Sequence, residues 1–168
     1  MHRRLIHRFQ PLCVALAAGL FTSSVSASPT DAAFAATIHI SEQVAPANPP
    51  IPCFLIGTIS GTGVATKLGA VTLESTDCIN PLTPAFTSFV FSSMGGVVLT
   101  TLNGDEVLAT YSGFLSSNGA ITGTFVIHGG SGRTANATGS GILKGFEAID
   151  LATGTGSGQI RLEGTISY

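Results

Sequence analysis

From Thr37 to Tyr168 the apolar residues fall at alternate positions in short runs, and glycine-bearing turns interrupt the runs every ~8–12 residues. No stretch shows three clean turns of helical periodicity. Successive side chains of a strand point to opposite faces, so each run has one apolar face to bury. A row of such strands must close on itself or find a facing sheet, because otherwise a long edge is left bare. The pattern predicts an all-β fold. With about eight strands, the first choice is a small closed antiparallel β-barrel.

Residues 28–52 hold a small, polar N-terminal arm, a first strand and a proline-rich connector. The strand is Thr37 to Ser41, with Ile38 and Ile40 on one face and His39 on the other. The connector carries Pro46, Pro49, Pro50 and Pro52, which excludes both helix and central strand. Residues 53–168 supply the remainder of the barrel. A strand from Cys53 to Ile59 is broken or bulged at Gly61-Thr62-Gly63, and Val64 to Lys67 and Gly69 to Ser75 continue beyond it. Thr76 to Pro84 reads as a loop because of Asn80-Pro81 and Pro84. Phe86, Phe89, Val90 and Phe91 form the most aromatic segment, and Met94-Gly95-Gly96 breaks it from Val97 to Leu102. Asn103-Gly104 is the strongest hairpin signal in the chain, and Ser117-Asn118-Gly119 marks a second. Strands over Ala120–His128, Ile142–Asp150 and Gln159–Tyr168 complete the set, with Ala152 to Gly158 as the last turn.

Residues 1–27 read as a secretory signal peptide. Arg3, Arg4 and Arg8 precede an apolar run from Leu12 to Phe21, and Val25-Ser26-Ala27 offers a small-residue cleavage site. The run is too short for a spanning helix. The expected location is secreted or periplasmic. Beyond the leader remain Lys67, Arg133, Lys144 and Arg161 against nine acids, a net charge of 4 − 9 = −5. Nucleic acid and anionic lipid both need a basic patch, so neither is an expected partner. Cys53 and Cys78 form an even pair in an exported chain, which favours a disulfide over a redox or metal site.

Phe125 to Gly141 opens as a strand and then changes character at Gly129. Gly129, Gly130 and Gly132 allow a sharp, tightly packed structural corner, with Arg133 inside it. The guanidinium is expected to tie down loop carbonyls or one carboxylate, with ligand binding as the rival role. Gly61 to Thr72, Leu102-Asn-Gly-Asp-Glu106 with Tyr111-Ser-Gly113, and His128 to Gly139 together resemble the exported bacterial domains called allene oxide cyclase barrel-like. The resemblance covers roughly Cys53 to Tyr168. The corner departs from the group's usual form in having Ser131 and Thr134 where threonine and an aromatic are commoner. What the resemblance implies is a small closed barrel with a central cavity. The wider superfamily includes fatty-acid-derived epoxide cyclases, dirigent proteins and polyketide cyclases, and many exported relatives have no known activity.

Chemistry is sparsely signalled. His128-Gly129-Gly130 has no Gly-x-Ser-x-Gly elbow to serve, and a Ser-His-Asp triad would have to rest on His39 or His128. His39, His128, Asp105 and Glu106 have no metal-ligand spacing, so no metal is expected. The glycine runs miss a phosphate-cradling pattern and precede strands, so no cofactor is expected. The residues favour a non-enzymatic barrel whose interior, built from Phe89, Phe91, Tyr111, Phe125 and Phe146, holds a small apolar ligand. The alternative is a cyclase or isomerase that confines a reactive apolar substrate, with an acid or Tyr111 as proton donor. A buried carboxyl or hydroxyl pointing into the cavity would favour the enzyme; a wholly apolar cavity would favour the carrier. A third reading, a small outer-membrane barrel, rests on the terminal Tyr168 after Ile160, Leu162 and Ile166, and the missing aromatic girdles speak against it.

Overall fold

In the computed structural model, which describes residues 31–49 and 51–168, eight antiparallel strands close into one barrel. The signal-peptide reading lies outside the described residues. The strands are β1 (Ala32–Pro46), β2 (Leu55–Ala65), β3 (Gly69–Pro81), β4 (Phe89–Thr101), β5 (Glu106–Leu115), β6 (Ala120–Gly130), β7 (Thr138–Asp150) and β8 (Thr155–Ser167). Each pairs with the next in sequence, and β8 pairs back onto β1. The expected fold class holds.

The register fixes the shape. From Pro46, the directly opposed residues run Leu55, Ile79, Phe91, Gly113, Gly123, Leu143 and Leu162, and the path returns to β1 at Ala36, a stagger of 46 − 36 = 10 residues. Eight strands with that stagger tilt by about 40° to the barrel axis. Inward positions carry Phe34, Ile38, Ile40, Leu73, Leu99, Val107, Phe125, Leu143 and Ile160, all buried. Outward positions on β1 and β8 carry His39, Ser41, Gln43, Gln159, Arg161 and Glu163. On these two strands the apolar face is inside and the polar face outside, the reverse of a membrane-spanning barrel. Among the described residues, no helix is long and apolar enough to cross a membrane.

Several strands run through segments that the sequence marks as breaks. β1 begins at Ala32 and β3 continues to Pro81, so the arm and the Thr76–Pro84 loop are partly strand. Alternation overrides the local turn signal there, since Ser75, Asp77 and Ile79 all keep the inward phase of Val71 and Leu73. β2 passes Gly61 and Gly63 without a break because β1 approaches closely. A Cβ on Gly63 would lie 2.1 Å from the Thr37 carbonyl oxygen. β4 is one strand with a bulge between Ser92 and Val97, where Gly95 and Gly96 take φ of 85° and 96°.

The turns sort into two ends. At the corner end lie the β2–β3 turn, the β4–β5 hairpin and a 3-10 turn at Gly132–Thr134. Gly132 has φ of 59°, and Arg133 meets Asp105 through its backbone N–H (3.1 Å) and Nε (2.6 Å). Thr134 donates to the Glu106 and Ser131 carbonyls and is buried with Ala137 beneath the corner. At the opposite end lie the proline-rich connector, the β3–β4 loop, the β5–β6 hairpin and the β7–β8 turn. The Cys53–Cys78 disulfide staples that connector to β3. Its closed loop spans a sequence separation of 25, worth about 3.5 kcal/mol in the chain-entropy picture. The Cys53→Ser/Cys78→Ser protein should lose roughly that much in urea unfolding, and a loss below about 1 kcal/mol would contradict the assignment.

Candidate functional site

The half of the barrel toward the connector end is not purely apolar. Three acids sit on the inward phase of their strands: Glu42 on β1, Asp77 on β3 and Glu147 on β7, all buried. Each continues an apolar alternation, Ile38-Ile40-Glu42, Leu73-Ser75-Asp77-Ile79 and Leu143-Gly145-Glu147-Ile149. Glycines make room for them. A Cβ on Gly57 would fall 1.8 Å from Glu42 Oε1, and one on Gly156 would fall 2.8 Å from Glu147 Oε1.

Tyr111 on β5 completes the set. Its hydroxyl donates to Asp77 Oδ1 at 2.5 Å and lies 2.9 Å from Ser75 Oγ, which donates to the same Oδ1 at 3.2 Å. The β4 bulge sets this residue. Where the β4–β5 ladder is interrupted, Ser93 Oγ accepts from the Tyr111 N–H at 3.1 Å and clips the strand in place. Phe91 packs its ring against Tyr111 edge-on, centroids 6.0 Å apart.

The remaining wall is Phe34, Ile40, Ile59, Phe89, Phe91, Leu115, Phe125, Leu143 and Ile149, among others. No lysine or arginine among the described residues lines this chamber. Uncompensated burial is costly for a carboxylate, so the acids tend to hold protons. Burial, then the neighbouring Glu147 and the more distant Asp77, pushes the Glu42 carboxyl up to about 9. Glu147 moves the same way for the same first reason, partly opposed by its pairing with Glu42. Its Oε1 is buried without a hydrogen-bond partner. Asp77 rises to about 6, burial outweighing the hydrogen bonds from Tyr111 and Ser75. Burial and the adjacent Asp77 raise the Tyr111 phenol above its usual range. At neutral pH the chamber therefore offers a protonated acid, Glu42, and a mostly ionised base, Asp77. That pairing can give a proton to one atom of a small substrate and take one from another.

The centre of a water molecule can move through about 50 Å³ of the chamber. This is less than the ~150 Å³ engineered cavity that takes benzene. Of the expected cavity residues, the structure brings Phe89, Phe91, Tyr111 and Phe125 onto the wall. Phe146 is not among them. It faces outward, 53% exposed, because the inward phase of β7 runs through Leu143, Gly145 and Glu147. Gly129, Gly130, Gly132 and Arg133 lie at the other end of the barrel, away from the acids. His39 and His128 are both exposed on the outer surface, which leaves a histidine-based triad without a place in the chamber.

No protein-family model and no curated protein matches the sequence. Among solved structures, the fold is similar to that of a pterocarpan synthase dirigent protein, with a TM-score of 0.50 and 12% identity over 89% of this chain and 99% of that one. A heme-binding cyclase of neoabyssomicin biosynthesis matches at a TM-score of 0.43 and 16% identity, over 82% of this chain and 68% of that one. A Diels–Alderase from Streptomyces koyangensis matches at 0.43 and 18%, over 82% and 70%. At these identities the first likeness is one of fold.

Proposed function

We propose that the protein is an exported cyclase or isomerase that confines a small uncharged apolar substrate and moves a proton on it. The observation that carries this reading is the acid set, Glu42–Glu147 and Tyr111–Asp77, in a chamber otherwise walled by aliphatic and aromatic side chains. A carrier of apolar molecules gains nothing from three buried acids, and their burial costs stability. An enzyme gains a donor and an acceptor whose proton affinities are set apart by surroundings. In the reaction, Glu42 protonates an oxygen of the substrate while Asp77, steadied by Tyr111 and Ser75, takes a proton from carbon. The wall holds the reacting atoms together and keeps water out.

The shared fold with a pterocarpan synthase dirigent protein is compatible with this chemistry, and the order of the glycine-rich motifs supports placing the chain among the allene oxide cyclase barrel-like domains. The disulfide supports an oxidising compartment, in keeping with the N-terminal leader. The test is turnover in heavy water of a panel of small neutral enones and epoxides, read by mass spectrometry. The native protein should rearrange, or deuterate at carbon, at least one of them. Asp77→Asn should slow that reaction by about 10²- to 10⁴-fold with its circular dichroism unchanged. Tight binding across the panel without turnover would assign the barrel to ligand carriage instead.

A further inference from the structure

A second space adjoins the chamber at the connector end. It is a groove of about 350 Å³ framed by Phe86, Leu151 and Phe146, with Ser116, Ser117 and Asn118 along one side. Phe89, Leu115, Glu147 and Ile149 line both spaces, so the two adjoin along these side chains. We infer that this groove is a second substrate-binding subsite, a vestibule that holds the non-reacting apolar body of an uncharged, elongated substrate whose small oxygen-bearing head alone enters the chamber.

Size leads to this division. Ligand sites commonly measure ~300–1,000 Å³. The chamber, at about 50 Å³, is far below that range, and the open groove beside it adds about 350 Å³. Construction agrees with size. Phe86 is held at φ of 54°, a left-handed conformation that is rare for a bulky residue, and its N–H donates to the Thr83 carbonyl at 3.1 Å. Its ring leans on Phe54, centroids 5.0 Å apart, beside the disulfide at Cys53. Leu151 and Phe146 are both exposed at the rim, though burial is the ordinary place for such side chains. The chemistry sets the ligand class. Hydroxyls and an amide border the groove, its only ionisable lining residue is Glu147, and the chamber behind it is acidic. An anionic head would meet like charge; a neutral alcohol, ketone or epoxide would not.

The subsite rests on the enzymatic reading for its purpose, but its test reads affinity and not turnover. Nile red, a neutral apolar dye, is bound to the native protein and displaced by straight-chain alcohols from butanol to dodecanol. Affinity should climb about fourfold per added methylene once the head has filled the chamber. Phe86→Ser with Leu151→Ser should flatten that climb to less than about twofold, whereas Leu102→Ser, 86% exposed at the corner end, should leave it as in the native protein. The matching fatty acids at neutral pH should compete at least about tenfold more weakly than the alcohols. An unchanged climb in the double variant, no displacement by any alcohol, or fatty acids binding as tightly as alcohols would each overturn the assignment. Turnover plays no part in any of these outcomes, so a barrel that binds without reacting still decides the question.

Discussion

Raised from about pH 5 to about pH 9, the protein is expected to lose about 3–6 kcal/mol of stability, with its Tm falling by about 10 °C or more. The sign follows from Glu42. Its carboxyl titrates near the ordinary 4.5 when unfolded and near 9 when buried in the barrel. Between those values the folded form holds a proton that the unfolded form has released, so stability is complete below the lower value and drains away toward the upper one. Asp77 and Glu147 are raised as well, and add in the same direction. Glu42→Gln keeps the size of the side chain and removes the titration, so most of the slope should vanish and the variant should be the more stable protein at pH 9. Thermal melts across this range decide the matter; a flat or rising native profile would remove the protonated acid from the chamber.

Ile38→Ala is expected to cost about 4 kcal/mol, or about 12 °C in Tm. Ile38 is fully buried in the middle of β1, opposed by Gly63 on one side and Ile160 on the other. The void can close only if a strand moves inward, and every strand is hydrogen-bonded along both edges. Gly63 leaves no slack either, because its Cα side already meets the β1 backbone. The upper part of the usual range is therefore the expected one. The pH profile should keep its shape, because the lost methyl groups lie several residues up the strand from Glu42. Calorimetry on both proteins tests the two statements together, and a loss below about 1.5 kcal/mol would mean that the barrel wall yields far more than a closed sheet should.

The barrel was legible in the sequence because alternation survives in every strand, and the hairpins at Asn103-Gly104 and Asn118-Gly119 mark their own turns. The acid set was hidden for a physical reason. Glu42, Asp77 and Glu147 stand at inward positions, but a single acid in an apolar run reads as the end of a strand or the start of a turn. Asp77 was further masked by Asn80-Pro81, a turn signal that the β3 ladder overrides. Strict phase counting would have found all three, since each lies an even number of residues from a buried aliphatic neighbour: Ile40, Leu73 and Leu143. The same count would have turned Phe146 outward. Tyr111 reads as an interior aromatic and a possible donor, but its partners Ser75 and Asp77 lie 36 and 34 residues away on β3 and cannot be paired with it from spacing alone.

The seam that closes the barrel joins its first and last strands, with Ala32 opposite Ile166. Both ends of the described chain thus emerge side by side at the corner face, on the far pole from the vestibule. A fusion partner, an affinity handle or a surface linker joined at either terminus would leave from that pole, and a barrel immobilised there would present its opening outward. Cutting the chain in the β5–β6 hairpin and bridging Ser167 to Ala32 by a short linker should likewise yield a permuted barrel with the same interior.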